Sequence, residues 1–167
     1  WHGNPLARPN PDFNRIDRFT SEGRSRYAAL VVGVSGTLRG GHLLTSSLTL
    51  SDKKNIMDDP LGSVAPSDPT DIEGEWGRSD TDERLRLVVS GIFHLPWDLT
   101  VAPVYQYGSG RPWTAYLGYD ENGDGQQWDR LPGDDRHGED GPSFSQLDVR
   151  LTKAISLAGT TQLEVIV

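Results

Sequence analysis

The sequence predicts an all-β fold: about six antiparallel strands forming part of a transmembrane β-barrel, with short turns at one end and long acidic loops at the other. Three observations lead there. Apolar residues recur with period two rather than 3.6. The connections alternate short, long, short, long, short. Apolar residues amount to only 35% of a 167-residue chain that carries 19 Gly and 11 Pro, too few to furnish a large conventional core.

Between Arg24 and Leu38 one face holds Ala28, Leu30, Val32, Val34 and Leu38, against small residues such as Ala29, Gly33, Ser35 and Thr37. Leu44, Leu48 and Leu50 then alternate with Thr45, Ser47 and Thr49. Leu85, Leu87, Val89 and Phe93 oppose Arg84, Arg86, Ser90 and His94, and Leu99, Val101, Tyr105 and Tyr107 oppose Thr100, Ala102 and Gln106. Leu147, Val149, Leu151 and Ile155 oppose Gln146, Asp148, Arg150 and Thr152, and Leu163, Val165 and Val167 oppose Gln162 and Glu164. Each segment therefore has one apolar and one polar face. On this reading Leu30, Val32, Leu87, Val89, Val149 and Leu151 face lipid.

The turns at Arg39-Gly40-Gly41, Pro96-Trp97 and Ala158-Gly159 are tight. The connections at about 52–83 and 108–143 are long, and prolines such as Pro60, Pro66, Pro69, Pro132 and Pro142 oppose regular structure there. These stretches hold 18 of the 24 carboxylates and read as solvated loops. Outer-membrane barrels have short periplasmic turns and long extracellular loops, whereas a soluble sandwich has no reason to gather its long loops at one end. Trp97, Trp113, Tyr105 and Tyr107 fall near strand ends, where amphipathic rings suit the membrane interface. Packing as ordinary interior aromatics is the other reading of these four.

Several function classes are set aside. A net charge of −8 disfavours binding to the phosphate backbone of nucleic acid. Cysteine is absent, which removes disulfides and thiolate metal sites. His2, His42, His94 and His137 are scattered and no Gly-x-Ser-x-Gly elbow appears, so no enzyme is expected. The chain opens on Trp1 without an initiator Met and is expected to be a piece, 1–167, of a longer barrel domain.

One constellation suggests ligand chemistry. Asp120-Glu121-Asn122-Gly123-Asp124-Gly125 places oxygens at alternate positions as the start of a calcium loop does, with Gln126 and Asp129 as later ligands. Position twelve is Leu131, which rejects an EF-hand proper. A solvated acidic turn fits the same residues, because Asn-Gly and Asp-Gly are turn signals in their own right. No other cofactor is expected.

Specific wording then becomes legible. Phe13-Asn14-Arg15-Ile16, Ser21 to Leu30, Glu75 to Arg84, Ser90 to Trp97, Ser109 to Thr114, Asp120 to Arg130 and Leu147 to Lys153 occur in the order of the late barrel strands of TonB-dependent receptors. The chain resembles in particular the Oar-like group with a carboxypeptidase-regulatory-like domain. The run Leu85-Arg86-Leu87 departs from that pattern, as does the lack of a plug, a TonB box and a closing aromatic strand in this chain. The resemblance implies a barrel of roughly 22 strands in the bacterial outer membrane. Its partners would be outer-membrane lipid and lipopolysaccharide, the TonB complex through parts outside this chain, and an unknown transported ligand. The alternative is a secreted, calcium-stabilised β-sandwich that binds carbohydrate or protein through its acidic loops. In a sandwich the apolar faces pack together and the protein is soluble alone, whereas a barrel segment needs detergent or its missing strands.

Overall fold

The computed structural model describes residues 21–58, 66–68, 71–123, 125–159 and 161–167. Among the described residues there are nine strands: β1 (Ser25–Thr37), β2 (Leu43–Asn55), β3 (Gly77–Arg78), β4 (Leu85–Leu95), β5 (Leu99–Gly108), β6 (Pro112–Trp113), β7 (Glu139–Asp140), β8 (Phe144–Ser156) and β9 (Gln162–Ile166). One sheet has the order β1-β2-β4-β5-β8-β9, with β3 paired to β2, and β6 and β7 form a separate two-stranded ribbon. Successive long strands are neighbours and antiparallel, so the sheet is an up-and-down meander, and it is open at β1 and β9. Among the described residues no helix is long and apolar enough to cross a membrane, which leaves crossing by strands untouched.

The long strands have the length that a tilted bilayer crossing needs, about 9 to 11 residues: β1, β2 and β8 have 13, β4 has 11 and β5 has 10. The predicted strands are all present. β2 runs further than its apolar alternation, to Asn55, because Lys54 and Asn55 pair with Arg78 and Gly77 of β3. Backbone pairing there replaces the apolar face as the reason for extended structure.

The tight turns use the backbone their residues allow. Gly40 and Gly41 are left-handed at φ 91° and 80°, and the Leu38 N–H donates to the His42 carbonyl to close the hairpin. In the β4–β5 turn, Trp97 and Asp98 take φ of 66° and 55°. A bulky residue adopts that region at a cost, so the surroundings must hold it. Lys153 supplies one constraint by donating to the Trp97 carbonyl.

Register fixes the faces, because directly opposed residues in an antiparallel pair point to the same side. Leu48 opposes Leu87, which opposes Tyr107. Val89 opposes Tyr105, which opposes Leu147, and Val101 opposes Leu151. The bonds from Leu38 to His42 and from Ile56 to Arg24 close both ends of β1–β2 in one register, which sets Leu30 opposite Leu50 and Val32 opposite Leu48. One mainly apolar face therefore runs from β1 to β9, with Ser46, Ser145 and Lys153 among its members. Its residues are not packed on a second layer: Leu30 is 60% exposed and Leu147 62%. A β-sandwich buries such faces against a facing sheet. All the long strands here belong to one sheet, which overturns the sandwich alternative.

Candidate functional site

The chain divides into two compact units. One comprises Ala29–Ser51, Glu83–Gly110 and Pro142–Val167; the other comprises the described residues up to Ala28 and those within Asp52–Asp82 and Arg111–Gly141.

In the first unit the six residues predicted to share a face do so. Leu30, Val32, Leu87, Val89, Val149 and Leu151 lie on the apolar side, together with Tyr105 and Tyr107 near the β5 end that leads into a long loop. The opposite side carries Thr45, Arg86, Ser90, Gln106, Gln146, Asp148 and Arg150. Within the apolar face, a Cβ at Gly91 would come 2.5 Å from the Phe93 ring. The ring thus covers backbone that glycine leaves bare. Trp97 stands 82% exposed in its turn.

The second unit contains Trp113, placed in the ribbon opposite Glu139. This unit is where the long connections depart from expectation, because they are folded rather than simply solvated. The buried polar residues Asn55, Glu75, Ser79, Asp82, Thr114, Asp129 and Arg136 all belong to it, as does Ile56, the only buried hydrophobic residue among those described.

Arg136 is the centre of that arrangement. Its Nη1 donates to the Asn55 carbonyl and Oδ1, both at 2.9 Å, and to the Glu75 carbonyl at 3.2 Å, while Nη2 donates to Asp58. Glu75 also receives both Arg130 nitrogens at 3.0 Å, in the forked geometry that suits a guanidinium to a carboxylate. Arg78 binds Asp82 at 2.9 Å and Asp140 at 2.6 Å, and the Asp82 carboxylate also accepts the Lys53 N–H at 2.8 Å. Buried charges of this kind persist only when paired and hydrogen-bonded. Gly77 is required beside them, since a Cβ there would meet the Arg136 carbonyl at 2.7 Å.

Asp58 is surrounded by hydrogen-bonding groups of the protein. Burial works to raise its carboxyl, but hydrogen bonds with His137, Asn55 and the Asp80 N–H, together with the Arg136 charge, outweigh that and hold it far below its ordinary 3.8. His137 lies between Asp58, 2.7 Å from Nε2, and the Thr114 hydroxyl, 3.1 Å from Nδ1. Hydroxyl, imidazole and carboxylate stand in the order of an acyl-transfer triad. The Thr114 hydroxyl, however, is buried and also accepts the His137 N–H at 3.0 Å, so the chain joins two loops instead of presenting a nucleophile.

Beside this network lies a pocket of about 240 Å³. Its lining comprises the apolar or aromatic residues Ile56, Met57, Pro66, Ile72 and Tyr116 and the polar residues Asp58, Glu75, Asp80, Arg136 and His137.

The residues of the predicted calcium loop are turned largely onto their own backbone. Asp120 accepts the N–H of Gly123 at 2.6 Å and of Gly125 at 2.9 Å. Asp129 accepts the N–H of Glu121 at 2.6 Å and of Asn122 at 3.2 Å, and the Asn122 side-chain amide at 3.0 Å. The Gln126 side-chain oxygen accepts the Trp128 indole N–H at 3.0 Å. Asp124 lies outside the described residues. Among those described, no group of three or more His, Asp or Glu stands together as a metal cluster.

The sequence reading missed the Arg136 network. A signal was present in it: Arg78, Arg130 and Arg136 are isolated cations inside otherwise acidic stretches, where each becomes a counter-ion.

The fold and faces described above define a membrane β-barrel wall. Comparison with known families agrees: the family model described as an outer membrane beta barrel domain matches residues 2–146. The chain belongs to this outer-membrane β-barrel family, and its place is the bacterial outer membrane. No curated protein matches it, and no solved structure does.

Proposed function

We propose that the chain is the wall and loop portion of a TonB-dependent receptor, a barrel that imports a ligand across the outer membrane with energy supplied from the inner membrane, and that it performs no catalysis. The observation that carries this reading is the division of labour within the chain. One sheet is apolar on one side and polar on the other across strands of membrane length, while the long connections fold into a pocketed unit held by buried ion pairs. The ordered sequence resemblance to late receptor strands adds the TonB coupling. On this reading Leu30, Val32, Leu87, Val89, Val149 and Leu151 contact lipid. Arg86, Gln106, Asp148 and Arg150 line the lumen, and the acidic loops face lipopolysaccharide and the exterior. A calcium ion at the Asp120–Asp129 loop is part of the same proposal, supported by the gathering of Asp120, Asn122 and Asp129 within one turn region.

The test is cross-linking in cells that produce the full-length protein. Recovery of that protein should bring TonB with it. Recovery without TonB, under conditions where a known receptor of the same cells captures it, would leave an outer-membrane barrel and remove energised transport.

A further inference from the structure

We propose that the pocket beside Arg136 binds a small organic cation, its ammonium group on Asp80 and its apolar body against Ile72, Met57 and Tyr116. Most polar groups of the pocket are already engaged within the protein. Arg136 is committed to Asn55, Glu75 and Asp58, and His137 to Asp58 and Thr114. Glu75 is engaged by Arg130 on both oxygens. Every basic group at the pocket is thus spent inside the protein, and an anionic ligand would find no counter-charge.

Asp80 differs. It is exposed, and its carboxylate contact is to the neighbouring Ser79 hydroxyl at 3.2 Å, with no cation on it among the described residues. An exposed carboxylate that lines a pocket together with Met57, Ile72 and Tyr116 is complementary to an ammonium group carrying an apolar body. Tyr116, 48% exposed on the same pocket, adds a ring face for the cation. A volume of about 240 Å³ holds about eight waters, or an organic molecule of roughly ten non-hydrogen atoms. The field of the unit acts in the same direction, because the two long loops carry 18 of the 24 carboxylates and a surface of one sign concentrates ions of the other.

The inference deepens the transport reading by naming a cargo class, and it rests on that reading only for the word cargo. Binding is measured on purified protein without an energy source, so its failure is separate from a failure to recover TonB. The full-length protein in detergent micelles is titrated calorimetrically with 2-phenylethylammonium, with neutral 2-phenylethanol and with phenylacetate. The ammonium compound should bind and the other two should bind at least about tenfold more weakly, a difference near 1.4 kcal/mol. Asp80→Asn should abolish the preference for the cation, and Asp80→Glu should keep it. Ile72→Trp, which fills part of the pocket, should weaken all three ligands. Equal binding of the three compounds, an unchanged preference in Asp80→Asn, or no binding of the ammonium compound up to about 10 mM would each overturn the proposal.

Discussion

Val89 and Ser90 are consecutive in β4, yet Val89 lies opposite Tyr105 on the apolar face while Ser90 lies opposite Thr45 and Val104 on the other. Both sit near the middle of an 11-residue strand, so they differ in side and hardly in depth. Arg placed at Val89 should destabilise the full-length barrel by about 2 to 4 kcal/mol, the cost of a guanidinium at the bilayer midplane. Arg at Ser90 should cost far less. Reversible denaturant unfolding of the two variants in lipid checks this, and equal penalties would remove the assigned facing.

The Arg136 network predicts a different kind of sensitivity. Arg136→Leu leaves half-buried Asp58 and buried Glu75 without one of their cations, a change worth about 3 kcal/mol when one member of a buried pair is removed. The loss should stay in the loop unit. Amide hydrogen exchange should accelerate at Asn55, Glu75 and Gly77 while Val89 and Val149 keep their protection. Unchanged exchange at all five would show that the network does not hold the loops.

Asp58 gives that stability a pH dependence with a definite sign. Its folded carboxyl is held far below the ordinary 3.8, so the folded state binds the proton more weakly than the unfolded state does. The contribution is therefore complete above about pH 4 and is lost as the pH falls further. Loop protection should be flat in its Asp58 component from neutral pH down to that point and then decline. In Asp58→Asn the acid-dependent part should be missing. An equally steep acid decline in the variant would assign the effect to other carboxylates.

Calcium is tested at the Asp120–Asp129 loop by terbium, which replaces calcium among oxygen ligands and is sensitised by a nearby indole. Trp128 lies within the loop, with its N–H on Gln126. The full-length protein should show emission that calcium displaces and that Asp124→Ala removes. Emission unchanged in Asp124→Ala would take the ion away from this loop and leave the hydrogen bonds of Asp120 and Asp129 to hold it alone.

The sheet was legible in the sequence because its physics is local and periodic. A strand with lipid on one side must alternate, so Leu85, Leu87 and Val89 declare their face without knowledge of any partner. The turns were legible because Gly40, Gly41 and Gly159 occupy left-handed backbone, at φ 91°, 80° and 76°. The loop network obeys no such period. Asn55, Asp58, Glu75, Arg130 and Arg136 are polar residues from three separated stretches, and each one alone reads as solvated. Their burial comes from mutual satisfaction of charge and hydrogen bonds, which only the fold reveals. For the same reason His137 was indistinguishable from the other histidines until Asp58 and Thr114 were seen on its two nitrogens.

The mainly apolar face of the sheet is assigned to lipid in an outer-membrane barrel. The chain contains no cysteine, so single cysteines at Val89 and at Ser90 in the full-length protein, provided it too is free of others, each carry one environment-sensitive fluorophore without background. Reconstituted into bilayers of brominated lipid, the label at residue 89 should be quenched by the acyl-chain bromines and shielded from aqueous iodide. The label at residue 90 should escape that quenching. Equal bromine quenching at the two positions, or stronger quenching at residue 90, would contradict the account.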